Sequence, residues 1–168
     1  YTLAGKRLAG FNSLFATASI EAAKRYYNAF TYRQDELPSD QQLKVGLIYS
    51  YAANEAEPDG LLGEEEFETY DLDQSSREFL EDAIQDYNDL FGTSYDTSAD
   101  KFQNYYKDVS MRLKNRELDM VIVVNMFLTG FDATTLNTLW VDKNLRAHGL
   151  IQAFSRTNRI LNSVKTYG

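Results

Sequence analysis

The sequence contains no cysteine, only one histidine and only two prolines in 168 residues. Without cysteine, disulfides and thiolate metal sites are excluded. A zinc site or a catalytic triad cannot be built convincingly on His148 alone. No apolar run is long enough to cross a bilayer, and the first ten residues have neither a methionine nor the apolar core of a signal peptide. A globular protein that works inside the cell is expected, and the two ends indicate a segment of a longer chain.

The formal net charge of −8 is distributed unevenly along the chain. Residues 1–55 carry six Lys or Arg and five Asp or Glu, residues 56–100 carry one and fifteen, and residues 101–168 carry ten and five. The three segments therefore have charges of +1, −14 and +5. The acidity belongs to one central block, whereas the mildly basic flanks could approach phosphate groups.

Four apolar stretches are typical of strands in a parallel sheet. They are "NSLFATAS" (12–19), "LKVGLIYSY" (43–51), "LDMVIVVNM" (118–126) and "TLWVDKN" (138–144). Ser19 is a good N-cap for a helix that follows the first strand, which predicts a β-α-β unit.

Between the second and third predicted strands, two segments have apolar residues that recur at helical spacing, 75–92 and 98–118. Their predicted inward faces are Phe79, Leu80, Ile84, Tyr87 and Leu90 in the first, and Phe102, Tyr105, Tyr106, Val109 and Leu113 in the second. We therefore predict one α/β domain over residues 1–168 with an open, mainly parallel sheet. Residues 1–53 and 117–168 are expected to form its core, and residues 54–116 an acidic helical insertion.

Two polar elements follow the last two predicted strands, and ligands of open α/β sheets bind beyond the carboxyl ends of strands. Gly130 and Asp132 lie in the bend "TGFDA", where a backbone could approach a ligand and a carboxylate could accept sugar hydroxyl protons. Gln152, Arg156 and Arg159 are spaced four and three apart, so they share one face of a predicted helix. The alternatives are a plain turn with an Asp cap and a surface helix with two ordinary arginines.

These residues carry a resemblance to a known family. "MFLTGFDA" resembles motif V of superfamily 2 helicases and translocases, and "QAFSRTNR" resembles their motif VI, Q-x-x-G-R-x-x-R. "VVNMFLTGFDA" followed by "LWVDKNLRAHGLIQAFSRTNRI" is similar to the motor subunit of type I restriction enzymes, and "FNSLFATASIEAAKRYYNAF" takes the place of motif IV. Ser155 stands where the wider pattern has Gly, and its small side chain preserves close packing.

The resemblance implies a RecA-like fold, namely the second of two motor lobes, and gives each matching residue a role. Arg156 and Arg159 would reach the γ-phosphate of ATP across a cleft, and Gln152 would order the same face. Gly130 and Asp132 would meet the phosphate and ribose side of the nucleotide.

Other parts of the nucleotide site are missing from the sequence. No G-x-x-x-x-G-K-[ST] motif and no acidic pair of the D-E-x-H kind occurs, so no metal site of its own is predicted. The resemblance implies that ATP with Mg²⁺ is held mainly by a first motor lobe of the same parent chain, which also carries a nuclease domain. The segment alone should be inactive. The expected partners are the methyltransferase and specificity subunits of a restriction complex in the prokaryotic cytoplasm.

Five further residues are candidates for contacts with the backbone of double-stranded DNA, without sequence reading. They are Thr17, Ser19, Asn125, Lys143 and Arg146. Helix capping and ordinary solvation are equally good interpretations of these side chains.

Two other functions stay open. The chain could be a lobe of another superfamily 2 ATPase. It could also be a non-catalytic α/β module whose acidic helices bind a protein partner.

Overall fold

The computed structural model describes residues 2–3, 6–7, 12–49, 74–124 and 135–142. Two short strands, β1 (Thr2–Leu3) and β2 (Lys6–Arg7), pair antiparallel. Among the described residues, no helix is both long and apolar enough to span a membrane.

Four strands form one open sheet in which every pairing is parallel. They are β3 (Asn12–Thr17), β4 (Val45–Ile48), β5 (Met120–Val124) and β6 (Leu136–Asp142). Their order across the sheet is β4-β5-β3-β6. All of β5 is buried, as its run of β-branched residues predicts for a central strand. The predicted α/β fold with an open, mainly parallel sheet is confirmed.

Three helices accompany this sheet: α1 (Ile20–Gln34), α2 (Gln74–Phe91) and α3 (Ala99–Lys114). The start of α1 agrees with the sequence, because Ser19 is its N-cap. Gly92 follows α2 with φ at +66°, a backbone conformation that glycine adopts without a steric penalty. Arg116 takes a similar conformation after α3, with φ at +68°.

Helices cover both faces of the sheet. Val121 in β5 pairs with Gly46 in β4, and a Cβ atom on Gly46 would lie 3.8 Å from Val109 of α3. Phe15 pairs one position further along β5, so its side chain points to the other face. There its ring centroid lies 4.6 Å from that of Tyr26 on α1. Hence α3 packs on one face and α1 on the other.

The helices α2 and α3 share the core of the sheet. Leu80 and Ile84 of α2, with Phe102 and Tyr105 of α3, belong to the same buried apolar cluster as the central strands. The hydroxyl of Tyr105 donates a 2.9 Å hydrogen bond to the backbone oxygen of Leu47 in β4. The inner faces of both helices are therefore integral to the fold, and the proposed boundaries of an insertion stay a prediction.

Several details of the predicted elements are wrong, among them an inner-face residue and a strand boundary. Leu90, expected on the inner face of α2, has 48% of its surface exposed. The second strand was expected to begin at Leu43 but begins at Val45. The amide of Lys44 donates instead to Oδ2 of Asp119, at 2.8 Å, outside the strand ladder.

Candidate functional site

Three strands end together at one edge of the sheet. Thr17, the last residue of β3, pairs with Val124, the last of β5, and with Asp142, the last of β6. Because the strands are parallel, this is the carboxyl edge, where open α/β sheets bind their ligands.

Thr17 is buried within this edge. Its hydroxyl is a donor to the backbone oxygens of Val123, at 3.2 Å, and Ser19, at 3.3 Å. A hydroxyl has a single hydrogen, which these two acceptors share. With 0% exposure the side chain is shielded from solvent, and its hydrogen bonds tie the turn after β3 to β5.

Ser19 is exposed at the same edge. Its backbone is extended, and its Oγ accepts a 3.2 Å hydrogen bond from the amide of Ala22. Such an oxygen still has its own hydrogen to donate. By helix geometry, the amides of Ile20 and Glu21 have no carbonyl within α1 to bond, and the helix dipole makes this end positive. The start of α1 therefore offers hydrogen-bond donors to an anion.

An ion pair between a buried lysine and an exposed glutamate lies in the first turns of α1. The Nζ of Lys24 is 3.0 Å from Oε1 of Glu21 and 3.4 Å from Oγ of Ser75 at the start of α2. It also lies 5.9 Å from the ring centroid of Phe79. Lys24 retains 9% exposure, whereas the side chain of Glu21 is 74% exposed.

An apolar groove adjoins the carboxyl edge on the α1 face. It has a volume of about 420 Å³, and its lining residues are Phe15, Tyr26, Phe30, Met120, Trp140, Val141 and Asp142. At its rim, the hydroxyl of Tyr26 donates a 2.9 Å hydrogen bond to Oδ2 of Asp142. This hydrogen bond raises the pKa of Tyr26.

Most of the predicted site lies outside the described residues. This applies to eight of the ten candidates: Asn125, Gly130, Asp132, Lys143, Arg146, Gln152, Arg156 and Arg159. Asn125 and Lys143 are the residues bonded directly to the last residues of β5 and β6. Within the described part of the chain, no group of three His, Cys, Asp or Glu residues could hold a metal ion.

Sequence reasoning missed Lys24. The available signal was its position on the apolar stripe of α1, next to Ala23 and one turn from Ile20 and Tyr27. A lysine within such a stripe, with Glu21 three residues earlier, indicates a buried lysine paired with a carboxylate.

Comparison with known proteins identifies the family. A profile described as "Type I restriction enzyme subunit R domain 3" matches residues 9–168. The chain belongs to this family. The resemblance to R subunits seen in the sequence is thus confirmed, and this R-subunit domain contains the parallel sheet and edge described above.

Several relatives are endonuclease subunits of type I restriction enzymes. One from Staphylococcus aureus is 42% identical over 160 residues, which cover 94% of this chain and 16% of that protein. One from Staphylococcus saprophyticus is 44% identical over 160 residues, with the same coverage. One from Haemophilus influenzae is 39% identical over 77 residues, which are 42% of this chain and 7% of that protein. The chain spans about 16% of the length of the Staphylococcus relatives.

Proposed function

We propose that this R-subunit domain is the second RecA-like motor lobe of an ATP-dependent translocase of double-stranded DNA within a type I restriction endonuclease. One observation carries the proposal: β3, β5 and β6 end at a single edge, at Thr17, Val124 and Asp142. The stretches that resemble helicase motifs V and VI follow β5 and β6 in the chain. A shared edge of this kind is where an α/β protein assembles a nucleotide site.

In this proposal Arg156 and Arg159 are arginine fingers. Their guanidinium groups are planar and permanently charged, and they would neutralise charge that develops on the terminal phosphate of ATP. Gln152 would order the same face, and Gly130 and Asp132 would meet the phosphate and ribose. ATP with Mg²⁺ supplies the phosphoryl group to be cleaved and would be held mainly by a first motor lobe elsewhere in the polypeptide.

The proposed DNA contacts are made with the backbone. Ser19 and the first amides of α1 suit a phosphate, because they combine a hydroxyl donor with the positive end of a helix. Thr17 would contribute indirectly, because its hydrogen bond to the backbone of Ser19 fixes the turn that presents Ser19. Asn125, Lys143 and Arg146 complete the proposed set, and none of these contacts reads sequence.

The proposed motor lobe needs other domains and subunits to function. A first motor lobe and a nuclease domain would belong to the same chain, and methyltransferase and specificity subunits would complete the complex. The share of about 16% that this chain represents in its relatives leaves room for such domains.

Substitution of the two arginines in the full R subunit tests the motor role. Arg156→Ala and Arg159→Ala should each lower ATP turnover on the order of a thousandfold, with DNA binding retained. Arg33→Ala, at an exposed position in the last turn of α1, is the matched control. Turnover that is unchanged in both finger variants would end the motor interpretation.

A second candidate is a module that binds a protein. It is favoured by the outer face of α2, where Glu78, Asp82, Asp86 and Asp89 are exposed and could contact a basic partner. In that case both arginine variants would keep full ATP turnover. A double substitution of Asp82 and Asp89 to Asn would instead disrupt assembly of the restriction complex, which size-exclusion chromatography measures.

A further inference from the structure

Lys24 occupies an unusual environment for a lysine. Lysine side chains are almost never buried unless they are paired, and the side chain of Lys24 keeps only 11% exposure. Its Nζ contacts Oε1 of Glu21 at 3.0 Å and Oγ of Ser75 at 3.4 Å. The ammonium group is thus fixed between the first turns of α1 and α2.

The partner of Lys24 is a glutamate, whose negative charge is unfavourable for a DNA contact at this location. Glu21 lies in the first turn of α1, two residues after Ser19, and its side chain is largely exposed. A carboxylate there stabilises the helix through the dipole. The same carboxylate would repel a DNA phosphate that approaches Ser19 and the free amides of the helix.

We propose that Lys24 is a positioning residue for DNA, which neutralises Glu21 and holds its carboxylate so that the start of α1 stays attractive to a backbone phosphate. This inference rests on the proposed DNA contact at Ser19. Lys24 does not act by touching the phosphate, because its side chain is 11% exposed and its Nζ is already engaged. Burial strengthens its effect on Glu21, since a partly buried pair is screened little by water and salt.

The contacts around Nζ give this buried side chain polar and aromatic partners. Ser75 supplies a hydroxyl oxygen, and the ring of Phe79 lies 5.9 Å away in a favourable position for a cation. Glu21 supplies the opposite charge. These contacts hold the Lys24–Glu21 pair next to the proposed DNA contact at Ser19.

The test measures equilibrium binding of the full R subunit to a fluorescent DNA duplex at several salt concentrations. Lys24→Met should weaken binding roughly two- to fivefold at low salt, because Glu21 is left uncompensated. Glu21→Gln should tighten binding up to about twofold, and the double variant should return to the affinity of the unmodified protein. Lys24→Arg should keep that affinity. Lys44→Met removes an equal charge beyond the opposite edge of the sheet and should have no effect.

Each result separates one explanation from another. If Glu21→Gln fails to restore binding to the Lys24→Met variant, Lys24 is only a structural strut and the inference is wrong. If Lys24→Met also reduces the salt dependence by one phosphate contact, Lys24 touches DNA directly and the inference is again wrong. Glu21→Gln alone keeps the test decisive if Lys24→Met does not fold, because no gain in affinity from it contradicts the role given to Glu21. If Ser19→Asp also leaves binding unchanged, the proposed DNA contact itself fails.

Discussion

The hydroxyl of Tyr87 on α2 donates a 2.8 Å hydrogen bond to Oδ2 of Asp108 on α3. Both side chains are buried, and the same oxygen accepts a 2.9 Å bond from Nε of Arg112. Arg112 in turn lies 4.2 Å from the ring centroid of Phe91 and pairs with Glu117. The helices α2 and α3 are therefore joined by a buried carboxylate that accepts hydrogen bonds from both, as buried charges require.

Removal of the Tyr87 hydroxyl should loosen this junction. Tyr87→Phe leaves Asp108 with Arg112 as its partner, so the free energy of unfolding should fall by roughly 1–2 kcal/mol. Urea denaturation followed by circular dichroism measures the change. Tyr32→Phe, at a side chain with 70% exposure, should change it by less than about 0.5 kcal/mol. Equal stability of both variants would mean that the hydrogen bond between Tyr87 and Asp108 does not stabilise the fold.

The buried tyrosines predict a loss of stability in alkali. Burial raises the pKa of Tyr27, Tyr87 and Tyr105 above the ordinary value of 10, and Asp86 and Asp108 raise it further in the first two. The folded state holds these protons where the unfolded chain has lost them. Stability is therefore fully present below pH 10 and falls as pH rises above it, by about 1.4 kcal/mol per pH unit for each tyrosine.

Denaturation in urea between pH 8 and pH 11.5 tests this slope. Above pH 10, Tyr27→Phe should reduce the slope of the free energy of unfolding against pH by about 1.4 kcal/mol per pH unit, the contribution of one tyrosine. Tyr32→Phe should leave the slope unchanged, since the Tyr32 side chain is exposed in the folded state as it is in the unfolded chain. A flat profile up to pH 11.5 would contradict the burial of these phenols.

Two glycines should respond to alanine with opposite signs. Gly46 has room for a Cβ atom, whose nearest neighbours would lie 3.7–3.8 Å away at Val121, Leu118 and Val109. Gly46→Ala should therefore stabilise the fold by about 0.5 kcal/mol, because the unfolded chain loses freedom. Gly92 has φ at +66°, so Gly92→Ala should destabilise it by about 1 kcal/mol although space is available.

The same reasoning applies to Arg116, which has φ at +68° after α3. Arg116→Gly should gain about 0.5–1 kcal/mol because it relieves a left-handed backbone in a non-glycine residue. Thermal denaturation of Gly46→Ala, Gly92→Ala and Arg116→Gly shows whether each variant is more or less stable than the unmodified protein. A common sign for Gly46→Ala and Gly92→Ala would show that backbone conformation does not govern these positions.

The sequence predicts the elements well where local chemistry decides them. Ser19 identifies the start of α1, and the apolar run of β5 identifies a central strand, because capping and burial on two faces leave clear local patterns. The start of β4 was placed too early. The side chain of Asp119, 75 residues away, bonds the amide of Lys44, and no local pattern contains that contact.

The candidate site was predicted less completely than the fold. The likeness of two stretches to helicase motifs predicted the family, which the match over residues 9–168 confirms. Residue roles at Arg156 and Arg159 stay predictions. Lys24 and the Tyr87–Asp108 bond were missed, since each depends on how two separate helices pack together. Periodicity gives the inner face of a helix but not the residue opposite each side chain.

Variants at Ser19 separate the capping role from the proposed DNA contact. Ser19→Ala removes the oxygen that accepts from the amide of Ala22 and should cost about 1 kcal/mol of stability. Ser19→Asn and Ser19→Asp are both good caps, so they should keep the melting temperature close to that of the unmodified protein. They differ only in charge, and the negative charge of Asp should repel a phosphate while Asn should not.

The full R subunit with Ser19→Asp should therefore bind a DNA duplex at least about threefold more weakly than the Ser19→Asn protein at low salt, with the difference shrinking as salt is added. Fluorescence anisotropy at three salt concentrations gives the comparison, and circular dichroism verifies that both proteins are folded. Equal affinities would mean that no phosphate approaches the start of α1. Loss of binding in both would mean that Ser19 is sensitive to size and not to charge, which would move the proposed contact from the helix end to the turn fixed by Thr17.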